Sequence, residues 1–197
     1  MNIEAVVLTG GKSRRMGEDK ARLLVDGVPQ AARIVQALLS EGMPVTVLGQ
    51  EPIEGADFLS DGSGVDGPLA ALGSFSPKAD SVFVASCDMP RFDVRIVRLL
   101  AERLQNEFCV PLRDASGVPL ACAPVVDGFR QPFCAVYMAK AFDCLRSQPG
   151  QCGTEWLNTL NPILVSEEEL ALAGVLPQGA RQANTREELA QIIKDAG

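Results

Sequence analysis

The sequence predicts an α/β fold with a mostly parallel central sheet, and three observations lead to this fold class. Short, nearly continuous apolar runs recur in the first half of the chain, which is typical of strands buried on both faces. Segments with helical spacing separate these runs. Glycine and acidic residues cluster directly after the runs, where open α/β sheets bind ligands. The chain has 197 residues without a linker or repeat, so we expect residues 1–197 to form one domain.

The first half of the chain supplies strands and helices in alternation. The predicted strands span residues 3–8, 45–48 and 82–86. The predicted helices span residues 29–40, residues 68–75 and a longer segment that begins after Asp93. Pro29 suits a first helical turn, Gly42 stops the first helix, and Asp93 is a suitable N-cap for the third.

The second half is less regular in pattern. Strands are predicted for residues 108–112 and 120–126, with a turn at 114–117, and residues 131–138 form another apolar run. Helices are predicted near residues 139–147, 154–160 and 166–173, and a final helix begins after Thr185. Ser166 with Glu169, and Thr185 with Glu188, have the spacing of a capping box.

The composition excludes several kinds of site. None of the 197 residues is histidine, so the chain alone cannot form a Ser-His-Asp triad, a Cys-His pair or an imidazole zinc site. Any proton transfer must use carboxylates, lysine, tyrosine, cysteine or water. The net charge of −7 argues against nucleic-acid binding. The missing histidine favours chemistry that depends on a metal ion, fixed cations and positioning.

Cysteine spacing and the N-terminal residues indicate the cellular compartment in which the protein is expected to lie. The six cysteines include no C-x-x-C pair, so we expect reduced thiols rather than a disulfide framework or a zinc site. The N-terminus carries Glu4 and no basic region, so no signal peptide is expected. No apolar run approaches the roughly 20 residues of a membrane span. We therefore expect a cytoplasmic protein with no membrane partner.

A glycine-rich basic loop follows the first strand. Gly10, Gly11 and Gly17 allow backbone N–H groups to approach a ligand closely. Five cationic side chains lie within 11 positions: Lys12, Arg14, Arg15, Lys20 and Arg22. The alternative is a solvated basic loop, but adjacent glycines together with this charge favour a polyphosphate ligand.

Two familiar phosphate-binding patterns do not account for this loop. A Walker A loop needs a glycine five residues before Gly11, and that position is Val6. The dinucleotide pattern Gly-x-Gly-x-x-Gly fails because the residues two positions after Gly10 and Gly11 are Lys12 and Ser13. The loop therefore belongs to a phosphate-binding type other than these two.

The loop resembles the nucleotidyltransferase signature Leu-x-Gly-Gly-x-Ser-x-Arg-Met-Gly-x-Asp-Lys. The matching residues are Leu8, Gly10, Gly11, Ser13, Arg15, Met16, Gly17, Asp19 and Lys20. It is most similar to the molybdenum cofactor guanylyltransferases, which transfer GMP from GTP to molybdopterin and release pyrophosphate. Related cytidylyltransferases and sugar-nucleotide pyrophosphorylases usually carry Ala-Gly in place of Gly10-Gly11.

This resemblance implies the fold and the donor site. It implies a single-domain, Rossmann-like three-layer sandwich with a mostly parallel central sheet. It implies that Lys20 and Arg15 are catalytic cations. The nucleotide contacts that it implies are Leu8, Thr9, Gly10, Gly11, Lys20, Gln50, Asp61 and Asp88.

Three of these positions lie in separate matching segments. Asp88, in Ser-Cys-Asp-Met-Pro, resembles the metal-binding Cys-Asp-x-Pro of the family, which implies a catalytic role with Mg²⁺, a cation that prefers oxygen ligands. Asp61 resembles an aspartate that contacts the nucleoside, with Asp66 as a rival and plain turn chemistry as an alternative. Gln50 replaces a nucleoside-contacting Asn and retains its amide group.

Two further segments imply contacts with the acceptor. Gln131 begins a Gln-Pro-x-x-Ala-x-Tyr segment of the same family, in which Tyr137 is expected to be part of the core. Gln182 and Asn184 lie in a segment that resembles Asn-x-Asn-Thr-Pro, where Gln182 replaces the first Asn and Arg186 replaces the Pro. A plain helix cap is the alternative for Asn184.

The implied function is Mg²⁺-dependent transfer of GMP from GTP to the terminal phosphate of molybdopterin. The alternatives are transfer of a cytidylyl group, transfer to a sugar phosphate, and a non-catalytic nucleotide-binding or chaperone-like relative. The expected partners are GTP, molybdopterin or molybdenum cofactor, and proteins that deliver or accept the cofactor.

Overall fold

The computed structural model describes residues 2–10, 21, 23–60, 67–108, 117–147, 152–183 and 185–194. Its central sheet contains β1 (Ile3–Leu8), β4 (Val45–Gly49), β5 (Asp57–Ser60), β6 (Ser81–Ser86), β7 (Ala121–Val126), β8 (Phe129–Arg130), β9 (Cys134–Met138) and β10 (Ile163–Val165). Strands β2 (Leu24–Val25) and β3 (Val28–Pro29) form a separate hairpin. The helices are α1 (Gln30–Ser40), α2 (Pro68–Ser74), α3 (Arg95–Phe108), α4 (Ala141–Ser147), α5 (Gly153–Thr159), α6 (Glu167–Leu172) and α7 (Arg186–Lys194).

The sheet is parallel except around β8 and β9. Its order is β10-β7-β9-β6-β1-β4-β5, and β8 pairs with β7 beside this path. The neighbours from β6 to β5 are all parallel, as are β10 and β7, whereas β9 is antiparallel to both β6 and β7. Only residues 127–133 connect β7 to β9, and a parallel connection needs about a dozen residues or more. The prediction of a mostly parallel sheet is confirmed.

Helices cover both faces of the sheet and give three layers. Alternate side chains of β1 point to opposite faces, so Ala5 and Val7 join the core that includes α1, α3 and α6. Val6 and Leu8 join the second core, formed with α2, α4 and α5. Both faces of the central strands are therefore buried, and the predicted three-layer sandwich is confirmed.

The helix ends follow the chemistry of their sequences. Asp93 accepts a hydrogen bond from the Arg95 N–H at 3.0 Å, as expected of a cap on α3. Ser166 and Glu169 form the predicted capping box of α6. Thr185 Oγ1 accepts a hydrogen bond from the Glu188 N–H at 3.1 Å at the start of α7.

Part of one predicted strand is wrong. Phe108, expected to begin a strand over residues 108–112, is the last residue of α3, because the apolar helical spacing continues to that point. Residues 109–116, which include the rest of this predicted strand, lie outside the described residues. In the part of the chain that the structure describes, none of the helices combines the length and apolar character needed to cross a bilayer.

Candidate functional site

Loops from three central strands meet at the carboxyl edge of the sheet. Thr9 and Gly10 follow β1, Gln50 follows β4, and Asp88 follows β6. The Thr9 N–H donates to the Leu48 carbonyl at 3.0 Å. The Cys87 N–H donates to the Leu8 carbonyl at 3.1 Å. These two bonds hold Leu8 and Thr9 between the ends of β4 and β6, so the ends of three strands that carry predicted site residues lie side by side.

Gly49 allows the loop after β1 to lie against the end of β4. A Cβ at position 49 would overlap Thr9 Oγ1 and would lie 2.9 Å from the Gly10 nitrogen. Thr9 Oγ1 is itself buried and has no hydrogen-bond partner among the described residues. The close approach fixes the position of Thr9 and Gly10 against the end of β4.

A cavity of about 300 Å³ brings two predicted nucleotide contacts together. Thr9 and Gln50 both line it, together with Ala31 from the first turn of α1 and Pro52. The Gln50 side chain is exposed, so its amide is accessible to a ligand. The Leu8 side chain, by contrast, is 5% exposed and packs in the core.

Hydrogen bonds hold Asp88 on both its side chain and its backbone. The Ser86 hydroxyl donates to Asp88 Oδ1 at 2.6 Å. The Ala183 N–H donates to the Asp88 carbonyl at 2.8 Å. The second bond joins the segment around residues 181–183 to the loop after β6, although about 95 residues separate them in the sequence.

The surroundings of Asp88 fit a divalent cation that shares its coordination with substrate and water. Mg²⁺ is usually bound through one or two carboxylates plus phosphate oxygens, rather than by an all-protein cage. Within the described ranges, no group of three or more potential side-chain ligands is placed to hold a metal ion. Asp88 offers one carboxylate at the carboxyl edge of the sheet, which is compatible with the first pattern.

A second cleft, of about 630 Å³, contains both described residues predicted to contact the acceptor. Gln131 and Gln182 line it together with Arg130, Arg181 and Cys152. The Gln182 Nε2 atom is buried and has no hydrogen-bond partner among the residues that the structure describes. Gln131 Nε2 donates to the Phe129 carbonyl at 3.1 Å. The structure therefore brings together two amides that lie 51 positions apart in the sequence.

Buried aromatic residues support one wall of this second cleft. The Tyr137 hydroxyl donates to the Pro132 carbonyl at 2.6 Å. The Tyr137 ring stacks on Trp156, with ring centroids 4.3 Å apart. Burial raises the pKa of Tyr137 well above its usual value, so the hydroxyl remains a donor. Tyr137 is therefore a core residue, as expected, and it holds the segment that carries Gln131.

Several predicted site residues lie outside the described residues. They are Gly11, Arg15, Lys20, Asp61 and Asn184, together with the rival position Asp66. Their roles stay predictions from the sequence.

Three residues at or near these sites were missed by the sequence reasoning. Ser86 contacts Asp88, and its position two residues earlier was a usable signal, because a serine hydroxyl readily reaches a nearby carboxylate. Arg130 and Arg181 line the second cleft; Arg130 donates to Asn158 Oδ1, and Arg181 pairs with Asp127 at 2.8 Å. Nothing in their spacing marked these arginines.

Comparison with known proteins identifies the family. A model of the MobA-like NTP transferase domain matches residues 5–163. A relative from Trichormus variabilis, named a probable molybdenum cofactor guanylyltransferase, is 29% identical over 203 aligned positions, which cover 97% of this chain and 90% of the relative. A relative of the same name from Synechococcus elongatus is 36% identical over 118 aligned positions, which cover 54% of this chain and 60% of that relative's length.

A solved structure shares the fold over nearly the whole chain. It is molybdopterin-guanine dinucleotide biosynthesis protein A from Archaeoglobus fulgidus, with a TM-score of 0.74, 20% identity and 98% coverage of both chains. The family model covers well over half of the present sequence, which confirms the resemblance carried by the glycine-rich loop. The chain therefore belongs to the MobA-like NTP transferase domain family.

Proposed function

We propose that this protein transfers GMP from GTP to the terminal phosphate of molybdopterin and releases pyrophosphate, with Mg²⁺ as the metal. The observation that carries the proposal is the meeting of Thr9, Gly10, Gln50 and Asp88 at one edge of the sheet. The names of the relatives from Trichormus and Synechococcus support guanylyl transfer in molybdenum cofactor synthesis.

The donor nucleotide would occupy the edge formed by β1, β4 and β6. The backbone N–H groups of Gly10 and Gly11 would approach the phosphates, and Lys20 and Arg15 would bind their negative charge. Gln50 and Asp61 would contact the nucleoside, because amides and carboxylates can pair with the polar edge of guanine or with ribose hydroxyls. The cavity shared by Thr9 and Gln50 supports this placement.

Asp88 would hold Mg²⁺ beside the phosphates, and the metal would supply neutralisation of negative charge when bound. The acceptor would lie in the second cleft, where Gln131 and Gln182 offer amide groups. Asn184, two positions after Gln182 in the sequence, is proposed as a third contact. The hydrogen bond between Ala183 and Asp88 supports a direct connection between the acceptor side and the metal side.

The reaction needs positioning more than a protein base. An oxygen of the acceptor's terminal phosphate would form a bond to the α-phosphorus of GTP, and the bond from that phosphorus to the pyrophosphate oxygen would break. The attacking phosphate is already anionic at neutral pH, so no residue has to remove a proton. Lys20 and Arg15 would stabilise the charge that develops on the leaving pyrophosphate. A chain without histidine is compatible with this chemistry.

We also propose that residues 1–197 act as one nucleotidyltransferase domain in the cytoplasm. Proteins that deliver or receive the cofactor are proposed partners, and nucleic acid is not one of them.

The test is pyrophosphate release from GTP and molybdopterin in the presence of Mg²⁺. Asp88→Ala and Lys20→Ala should each lower the rate on the order of 10²- to 10³-fold, because the first removes the proposed Mg²⁺ ligand and the second removes a positive charge beside the phosphates. Circular dichroism melting should show that both variants remain folded.

Two exposed side chains provide matched controls for these substitutions. Asp57→Ala removes a carboxylate and Lys78→Ala removes an ammonium group. Both side chains are largely exposed, and they form a weak ion pair in which Lys78 Nζ lies 3.9 Å from Asp57 Oδ2. Both control variants should keep the full rate. Full activity in Asp88→Ala or Lys20→Ala would overturn the assignment of that residue to the site.

A further inference from the structure

Ser86 is the last residue of β6 and stands two positions before Asp88. Its hydroxyl donates a hydrogen bond of 2.6 Å to Asp88 Oδ1. This length is typical of a charge-assisted bond from a hydroxyl to a carboxylate, which is stronger than a bond between neutral groups. The contact links a side chain with no assigned role to the proposed metal ligand.

The backbone around this pair is fixed from several directions. The Ser86 N–H donates to the Phe133 carbonyl at 2.8 Å, and the Cys87 N–H donates to the Leu8 carbonyl at 3.1 Å. On the far side, the Ala183 N–H donates to the Asp88 carbonyl, and the following Met89 is 1% exposed. With the main chain held, the Asp88 side-chain torsions decide where its carboxylate points, and the Ser86 hydroxyl restrains them.

We propose that Ser86 is a positioning residue that orients the Asp88 carboxylate for binding a divalent cation. The inference rests on the proposed function, because it takes Asp88 as the metal ligand. Groups that hydrogen-bond a metal-binding carboxylate set its orientation, and their loss typically costs about 10- to 100-fold in metal affinity or activity.

A purely structural role for Ser86 makes a different prediction. Ser86 is only partly buried, so water can replace its hydroxyl when the hydroxyl is removed. Its loss should then change stability little and leave metal binding unaltered. Metal affinity therefore separates the two roles.

The experiment measures Mn²⁺ binding by the full chain, with free Mn²⁺ followed by electron paramagnetic resonance. The titration is repeated with a GTP analogue that has a methylene group between the α- and β-phosphorus atoms. Ser86→Ala should raise the Mn²⁺ dissociation constant about 10- to 100-fold. Ser86→Thr keeps the hydroxyl and should bind Mn²⁺ within about threefold of the unaltered protein.

The matched control lies at the other end of the same strand. Ser81→Ala also removes a serine hydroxyl, which donates to the Asn2 carbonyl at 3.1 Å. Ser81 is the first residue of β6, at the opposite end of the strand from Asp88. It should leave Mn²⁺ binding unchanged. Thermal melting of every variant checks that the fold is intact.

The outcomes separate this inference from the proposed function. Weakened Mn²⁺ binding in Ser86→Ala, with recovery in Ser86→Thr, supports the positioning role. If Asp88→Ala weakens binding and Ser86→Ala does not, the positioning role is overturned while the metal site stands. If neither variant changes binding, the metal assignment of Asp88 is overturned together with the inference, and turnover with GTP still tests the proposed function separately.

Discussion

Gly49 shows how one residue without a side chain fixes the geometry of the proposed donor site. The Thr9-Gly10 segment passes so close to the end of β4 that any Cβ at position 49 would meet its backbone. The glycine-rich loop therefore starts from a point set by the packing of β4 against β1, before any contact with a ligand.

Gly49→Ala should displace this segment and weaken both folding and nucleotide binding. A Cβ at position 49 would lie 2.9 Å from the Gly10 nitrogen and 3.1 Å from the Thr9 carbonyl carbon. Overpacking of this kind costs about 1–3 kcal/mol of unfolding free energy. Urea unfolding and the thermal shift on adding GTP measure the two effects.

Gly73→Ala is the control for this substitution. Gly73 lies in α2, and a Cβ there would meet nothing within 4 Å. Replacing glycine by alanine within a helix should raise the unfolding free energy by about 0.5–1 kcal/mol and leave GTP binding unchanged. If Gly49→Ala is as stable as the unaltered chain and shows an equal thermal shift on adding GTP, the close approach at Gly49 affects neither folding nor nucleotide binding.

The antiparallel strand β9 is the element that places the proposed acceptor cleft. Because β9 runs opposite to β6, its first residues lie at the edge where the central parallel strands end, and Cys134 pairs with Ala85 near Asp88. The segment before β9, which carries Gln131, therefore reaches the same edge as Asp88. Tyr137 anchors that segment from the core through its bond to Pro132.

Tyr137→Phe should test the anchoring of this segment. The substitution keeps the ring stacked on Trp156 but leaves the Pro132 carbonyl without the hydroxyl donor. A buried acceptor that loses its partner costs about 1–3 kcal/mol, which urea unfolding would detect. We also expect a higher KM for molybdopterin with little change in KM for GTP. Equal rises in both KM values would contradict a local effect on the acceptor side.

The elements that sequence patterns predicted have either a clear apolar run or a recognisable helix start, such as the capping box of Ser166 and Glu169 at α6. Helices α1, α2 and α6 and strands β1, β4 and β6 all lie close to their predicted positions. The edge strand β5 was missed because Asp57–Ser60 is largely exposed and has no apolar run. The hairpin of β2 and β3 and the three-residue β10 are too short to give a periodic signal.

The proposed site also contains parts that the sequence pattern predicts and parts that it does not. The ends of β1, β4 and β6 were predictable because parallel strands bring their carboxyl ends to one edge. The proximity of Gln131 and Gln182 was implied by the family resemblance alone, because it depends on the direction of β9, which an apolar run does not reveal. This proximity also depends on the hydrogen bond from the Ala183 N–H to the Asp88 carbonyl, which joins segments far apart in the sequence.

At the scale of the whole molecule, the core contains groups whose ionisation opposes folding. Burial raises the pKa of the Cys122 thiol to about 12 and also raises those of Cys134 and Tyr137. In the unfolded chain, thiols ionise near pH ~8.5 and tyrosine near ~10. Above these values the unfolded state loses protons that the folded state keeps, so the unfolding free energy falls as pH rises.

Cys134→Ala should make the protein less sensitive to alkaline pH. Each buried thiol lowers the unfolding free energy by about 1 kcal/mol between pH 9 and 10, because its unfolded form is mostly ionised in that range. Urea unfolding at pH 8, 9 and 10 should therefore show that the unfolding free energy of this variant falls less steeply with pH. Cys144→Ala removes an exposed thiol and should keep the original decline. An unchanged slope in Cys134→Ala would contradict the effect of burial on that thiol.

The net charge of −7 belongs to the whole chain, whereas GTP would meet a local cluster of five cations, Lys12, Arg14, Arg15, Lys20 and Arg22. Local charge and Mg²⁺, rather than the overall balance, would then attract the triphosphate. This explains how an acidic protein without histidine could carry out a reaction between two phosphates.

The most direct test of the central proposal is turnover by the unaltered protein with molybdopterin, Mg²⁺ and one nucleotide at a time. With GTP, we expect pyrophosphate and an equal amount of a guanosine dinucleotide product, identified by mass spectrometry. CTP, ATP and UTP should give little of either product. Turnover with CTP in preference to GTP, or no turnover with any of the four nucleotides, would contradict the proposed guanylyl transfer.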